Sequence, residues 1–142
     1  MLSYKDILYS ITKILSKKYK DIDVVVKNEE GIFNKECFYV KLLPLETTTF
    51  SNTSNLKGVI VSVKYFGEDD LKRYGIASDL NILFARTLKV KDRVLNISST
   101  EANFFEDEVS EVLDFLITVK YSESIQIEEK ERELIGSVSI RI

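Results

Sequence analysis

The spacing of apolar residues predicts a helix at the start of the chain. Residues 3–19 carry apolar side chains three and four positions apart, which is the spacing of one helix face. Ser3 and Asp6 have the spacing of a capping box, so we expect the helix to begin there and to pack on a sheet. The apolar stripe consists of Tyr4, Ile7, Leu8, Ile11, Ile14 and Leu15.

Alternation of apolar and polar residues predicts the strands, because successive side chains of a strand point to opposite faces. The clearest alternation runs over 111–121, where the apolar positions are Leu113, Phe115, Ile117, Val119 and Tyr121. Further strands are predicted at 22–27, 36–45, 56–66, 88–90, 93–99, 101–105 and 138–142. The polar segment 46–55 is predicted to be a loop or a hairpin arm.

A second helix is predicted from the acidic residues 68–70 to about Leu88, because Ala77, Leu80 and Phe84 repeat at helical spacing. Strands outnumber crossovers in this order of elements. We therefore predict an α+β fold, a mostly antiparallel β-sheet with two helices packed on one face. We expect a single domain over residues 1–142, in which 123–142 is a charged segment ending in a short strand.

Composition is that of an ordinary soluble globular protein, with 142 residues, 44% of them hydrophobic and 30% charged. The net charge of −3 argues against a protein that functions mainly by neutralising nucleic-acid phosphates. The N-terminal segment lacks the features of a signal peptide, and no apolar run has membrane-spanning length. We expect a soluble protein, made in the cytoplasm, with no membrane partner.

Several classes of chemistry are excluded by residues that the chain lacks. It has no histidine, which removes Ser-His-Asp catalysis and histidine-bound zinc. Its five glycines are widely separated, so no phosphate-binding loop is present. Cys37 falls in a strand pattern and is expected to be a buried, unreactive thiol.

The acidic residues do not add a convincing catalytic or metal site. Asp21 and Asp23 have the look of a two-carboxylate metal motif, but a solvated strand entrance explains them more simply. The acidic runs at 106–108 and 128–129 are typical of solvated turns. We predict no enzyme, no metal and no cofactor, and we leave open chemistry based on Lys, Tyr or carboxylates.

Several segments carry a resemblance to a known family, namely Tyr4 to Ile7, Cys37 to Pro44, Ile60 to Phe66, Leu88 to Ile97, Val112 to Phe115 and Tyr121. In these segments and in their order, the chain resembles the tail terminator (tail completion) proteins of long-tailed bacteriophages, prophages and phage-tail-like bacteriocins. The resemblance runs nearly end to end and contains no catalytic signature. The tract 101–111 departs from it by being more acidic.

The resemblance implies a structural virion protein that forms a homo-oligomeric ring, a hexamer, on the head-proximal end of the tail tube. Such a ring stops tube polymerisation and offers an attachment surface to the head–tail connector. Its partners are the tail tube protein, the connector, other copies of itself and, in a contractile tail, the sheath protein. DNA is implied only as passing cargo.

The polar arm and the C-terminal strand are the segments that we expect at the subunit or tube interface, since a closed ring needs a heterologous contact and strand addition can supply one. The residues in question are Thr48, Phe50, Asn52, Val138, Ile140 and Ile142. An acidic turn is expected to face the lumen, where repulsion would let DNA pass, and it consists of Glu106, Asp107 and Glu108. Two alternatives stay open: another neck or head–tail joining protein, and a small-molecule or protein-binding α+β module with no virion role.

Overall fold

The computed structural model describes residues 2–26, 35–106 and 111–124. The predicted strand with Val138, Ile140 and Ile142 lies outside the described residues. Within them the elements in chain order are α1 (Tyr4–Lys18), β1 (Asp23–Val25), β2 (Cys37–Pro44), β3 (Thr48–Ser51), β4 (Ser54–Phe66), α2 (Asp70–Leu83), β5 (Thr87–Val90), β6 (Arg93–Glu106) and β7 (Glu111–Ser124).

The strands form one sheet in the order β1-β2-β4-β7-β6-β5, with β3 beside β4. Strands β1 and β2 are parallel, and the other pairs are antiparallel. The centre of the sheet is the long pair β4–β7, whose register runs from Ser54 opposite Ser124 to Phe66 opposite Val112. The predicted α+β fold with a mostly antiparallel sheet is confirmed.

One face of the sheet carries the hydrophobic core. Val61 and Val63 of β4 lie opposite Ile117 and Phe115 of β7, and all four side chains are fully buried. Both helices contribute buried side chains to the same cluster. These are Ile7, Ile11 and Leu15 of α1 and Ile76, Ala77 and Leu80 of α2. Burying each of the Val, Leu, Ile and Phe side chains in this cluster contributes about 1.5–3 kcal/mol to stability. The alternation in the sequence therefore identified the face on which the helices pack.

The end of α1 joins the second helix to the sheet. The Tyr19 hydroxyl donates a hydrogen bond to Asp79 of α2 at 3.1 Å, and the Tyr19 ring lies 5.2 Å from the ring of Phe38 in β2. Burial and the neighbouring Asp79 carboxylate both raise the pKa of Tyr19. At the other end of α1, Ser3 and Asp6 form the predicted capping box.

Two boundaries differ from the predictions, and one alternative that the sequence left open is resolved. Helix α2 ends at Leu83 rather than near Leu88, because Leu88 is a buried residue of β5. The two strands predicted at 93–99 and 101–105 are one strand, β6, in which a bulge between Ile97 and Ser99 breaks the alternation. The segment 46–55 is a hairpin arm, since β3 pairs with the start of β4.

Candidate interaction surfaces

The described residues hold no cluster of three or more Cys, Asp or Glu side chains placed to bind a metal. Asp23 lies 3.7 Å from the Lys35 ammonium instead. Cys37 is buried as predicted, and burial together with nearby Asp23 raises the pKa of its thiol. No helix in these ranges is both long and apolar enough to cross a membrane. Two surfaces of the described residues have exposed side chains or strand edges of the kind that protein contacts use.

The hairpin arm is the first of these surfaces. In it, Thr48 pairs with Leu56 and Ser51 pairs with Ser54, with a register shift between Thr49 and Ser51. The Ser51 and Ser54 hydroxyls are hydrogen-bonded at 2.8 Å, which holds the tip closed. Thr48 and Asn52 are exposed, and Phe50 belongs to β3 between them. The structure thus places these three predicted interface residues on the same hairpin.

A groove of about 300 Å³ opens at the base of the hairpin arm, beside Thr48, and is lined by Leu45, Lys57, Gly58 and Lys120 among others. The Leu45 amide donates to the Gly58 carbonyl at 2.8 Å, which ties the segment before β3 to β4. A Cβ added at Gly58 would lie 3.2 Å from Leu45 Cδ1. The missing side chain therefore gives the strand and the arm room to approach closely.

The second surface is an unpaired strand edge. Strand β5 covers β6 from Arg93 to Asn96, and the Ile97 amide donates to the Arg86 carbonyl. Beyond that point, residues 98–106 have β7 on one side and no strand of the described chain on the other. We call this segment the β6 edge. Its outward backbone groups can accept another strand.

An apolar stripe on α2 lies next to the β6 edge. Leu71, Tyr74 and Ile82 are 81%, 52% and 77% exposed, although they are large apolar or aromatic residues. The ring of Tyr74 lies 5.1 Å from the ring of Phe104, which is itself 38% exposed. We call Leu71, Tyr74 and Ile82 the α2 stripe. The stripe and the edge together make a continuous apolar and hydrogen-bonding surface.

Of the predicted acidic residues, Glu106 lies at the opposite end of the sheet from the hairpin arm. Glu106 ends β6 and pairs with Glu111, whereas the arm residue Leu56 lies opposite Ser122. Ser122 follows Glu111 by eleven residues along β7, which is a distance of about 35 Å at the rise per residue of a strand. Glu106 is exposed, and Asp107 and Glu108 lie outside the described residues. The structure therefore does not bring the arm and Glu106 together.

The sequence predictions missed two buried charges. Arg73 is 1% exposed and donates to Asp70 at 2.5 Å, to Glu111 at 3.2 Å and to the Gly67 carbonyl at 2.9 Å. Glu123 accepts a hydrogen bond from the Leu2 amide at 2.8 Å. Periodicity contained a signal for both, since Arg73 is in helical phase with the buried α2 residues and Glu123 continues the alternation of β7.

A third charged group links α2 to the start of β2. Glu36 accepts a hydrogen bond from the Tyr65 hydroxyl, and the Lys72 ammonium of α2 lies 2.7 Å from its carboxylate. Burial alone would raise the pKa of Glu36, but hydrogen bonds from Lys72 and Tyr65 outweigh it and lower the pKa. The arrangement fixes one end of α2 on the sheet. It has no nucleophile or further acid–base group that would point to catalysis.

Comparisons with known proteins agree with this picture of a structural module. A family model described as "Phage tail terminator protein" matches residues 6–131. A solved structure matches over 91% of this chain and 100% of its own, with a TM-score of 0.54 and 13% sequence identity. At that identity the likeness bears on the fold alone. The search of curated proteins gave no match.

Proposed function

The chain belongs to the phage tail terminator family, and from that premise we propose that it forms a hexameric ring on the head-proximal end of a tail tube. In this role the ring stops tube polymerisation and offers the head–tail connector its attachment surface. In a contractile tail the same ring would meet the last ring of sheath protein. Membership of the family makes the protein a phage tail component, and the observation that carries the proposal is the match over residues 6–131.

The shape of the sheet supports a cap with two different ends. The hairpin arm, with exposed Thr48 and Asn52, lies at one end of the β4–β7 pair, and exposed Glu106 lies at the other. A terminator needs two such ends, because tube and connector bind on opposite sides of the ring. We assign the arm, with Phe50, to the subunit or tube contact.

The charge at the other end supports a second assignment. Glu106 lies opposite Glu111, and Asp107 and Glu108 follow it in the sequence. We assign Glu106, Asp107 and Glu108 to the lumen, where like charge keeps passing DNA from adhering. Replacing the three by Gln, Asn and Gln is expected to increase the retention of DNA by assembled rings. A ring structure with these residues on its outer surface contradicts this assignment.

Tube polymerisation in the presence of the protein tests the proposal. The tube protein of the same particle is allowed to polymerise with and without this chain, and tube lengths are measured by electron microscopy. We expect shorter tubes, each with extra density at one end. The variant Thr48→Asp/Asn52→Asp should lose the effect, while Asp92→Asn, in the exposed β5–β6 turn, serves as a control that keeps it.

The result also separates the remaining candidate functions. A protein that binds the connector but leaves tube length unchanged is another neck or head–tail joining protein. A protein that stays monomeric and binds neither partner contradicts the proposed function and favours a binding module outside the virion.

A further inference from the structure

The β6 edge is the most accessible strand edge in the described part of the chain. Strand β5, at the end of the sheet, has four residues. The uncovered part of β2 contains Lys41 and ends at Pro44, which has no amide hydrogen to donate to a neighbouring strand. By contrast, residues 98–106 offer a long run without proline. An added strand therefore pairs most readily here.

The two faces of the β6 edge differ in chemistry. Thr100, Ala102 and Phe104 lie opposite core residues of β7, so they share the face on which α2 packs. On the other face, Glu101 and Asn103 lie opposite Leu116 and Asp114. A strand suited to this edge has apolar residues at alternate positions and a positive charge on its polar side.

The C-terminal residues of this chain have that pattern. In Ser137 to Ile142 the apolar residues Val138, Ile140 and Ile142 alternate with Ser139 and Arg141. An antiparallel register with Ile140 opposite Ala102 sets Val138 opposite Phe104 and Ile142 opposite Thr100. The same register sets Arg141 opposite Glu101, which pairs opposite charges across the two strands.

The position at which β7 ends favours a second copy as the donor. Ser124, at the end of β7, lies opposite Ser54. It is nine residues further along β7 than Phe115, the partner of Ala102, so Ser124 and Ala102 are about 30 Å apart along the strand direction. At that end of the sheet β5 covers β6, so the part of β6 open to an added strand lies towards the other end of the sheet from Ser124. The end of β7 and the open edge are therefore far apart within one copy, whereas a second copy can bring its residues 137–142 directly to the edge.

We propose that the β6 edge of one copy binds residues 137–142 of a second copy as an added antiparallel strand, with Ile140 opposite Ala102 and Arg141 opposite Glu101. The contact is heterologous, since donor and acceptor surfaces differ, and a repeated heterologous contact closes into a ring when its rotation allows. The inference deepens the proposed function, and rests on it for ring closure. Tyr74 of the α2 stripe, beside Phe104, extends the apolar contact.

Disulfide trapping between separately purified chains tests this contact. Cys37 is replaced by Ala, after which one chain carries Ala102→Cys and a second, tagged chain carries Ile140→Cys. Under mild oxidation we expect a disulfide-linked heterodimer. The matched control replaces Ala102→Cys by Val94→Cys, which is also exposed on β6 but lies where β5 covers the strand, and it should give no heterodimer.

A charge exchange in the otherwise native chain provides a second, independent readout. Glu101→Arg and Arg141→Glu alone are each expected to weaken self-association by about tenfold, and the double exchange should recover most of the loss. Circular dichroism of each variant checks that the fold is retained.

Each outcome separates the inference from the proposed function. If rings cap tubes but the Ala102→Cys and Ile140→Cys chains form no heterodimer, the inference is overturned and the proposed function stands. If a single chain that carries both Ala102→Cys and Ile140→Cys forms the disulfide only within itself, the inference is overturned as well. A heterodimer with charge rescue, in a protein that neither forms rings nor limits tubes, supports the contact and contradicts the proposed function.

Discussion

Replacing Arg73 by Met is expected to destabilise the fold, although the substitution removes a buried charge. The guanidinium joins α2 to the Gly67 carbonyl and to Glu111 at the start of β7. Removing it leaves the carbonyl without this donor, and a hydrogen bond from a charged group contributes about 1.5–3 kcal/mol. Asp70 and Glu111 are 70% and 36% exposed, so water can replace Arg73 and their ion pairs add about 1 kcal/mol or less.

The expected loss for Arg73→Met is therefore about 2–4 kcal/mol in the free energy of unfolding. Glu111→Gln should cost about 1 kcal/mol or less, and a double-mutant cycle of the two should show a coupling of about 0.5–1 kcal/mol. The chain has no tryptophan, so urea unfolding is followed by far-ultraviolet circular dichroism or tyrosine fluorescence. The measurements use protein dilute enough that the midpoint is independent of concentration.

The opposite result is physically possible, because an apolar side chain that replaces a buried ion pair can stabilise a protein. If the urea midpoint of Arg73→Met equals or exceeds that of the wild type, the free-energy cost of desolvating the guanidinium outweighs the stability gained from its hydrogen bonds and ion pairs. The interpretation of Arg73 as a clamp between α2 and the sheet is then wrong.

Two further predictions concern tyrosines and glycines. Burial and nearby Glu123 raise the pKa of Tyr121 to about 12, above the unfolded value near 10, so stability should hold below pH 10 and fall as the pH rises towards 12. Tyr121→Phe should reduce this dependence of stability on pH, and it should cost little stability at pH 7 because the buried Tyr121 hydroxyl has no hydrogen-bond partner among the described residues. Tyr19→Phe, by contrast, should cost about 1 kcal/mol because it removes the hydrogen bond to Asp79. An unchanged pH dependence in Tyr121→Phe would refute the assignment of that dependence to Tyr121. Gly75→Ala, in open space within α2, should stabilise by about 0.5–1 kcal/mol. Gly67→Ala should destabilise by about 1–3 kcal/mol because its Cβ meets the buried Tyr65 ring, and equal thermal midpoints for the two alanine variants would contradict the packing.

The core was predictable because it obeys simple periodicities. Ile7, Ile11 and Leu15 repeat at helical spacing, and Phe115 and Ile117 alternate along one strand. Each pattern is set by a single element and its burial, so no knowledge of distant residues was needed. The same holds for the caps of α1 and α2, which depend on residues within one turn.

The interaction surfaces were less predictable because they depend on which strands are neighbours. The bulge after Ile97 interrupts the alternation of β6, so the sequence suggested two strands where the structure has one. That Ala102 and Phe104 lie at an unpaired edge follows from the shortness of β5, which pairs only as far as Asn96. The arm was left open between loop and hairpin because Thr48 and Asn52 have no apolar alternation to indicate a strand.

Function was predictable only through resemblance, because a structural tail component needs no catalytic residues. The absence of histidine excluded Ser-His-Asp catalysis and histidine-bound zinc, and the family match gives the role as a phage tail component. A subunit interface is a property of two copies, so neither periodicity nor burial in one chain identifies it. The exposed stripe of Leu71, Tyr74 and Ile82 is the feature of the single chain that most directly calls for a partner.

Electron microscopy of tail tubes assembled with this protein distinguishes a terminator from other tail components in one experiment. We expect a six-fold ring of matching diameter at one end of each tube, with density connecting adjacent subunits at the β6 edge. Tubes with bare ends, or protein bound along their length rather than at one end, would contradict it.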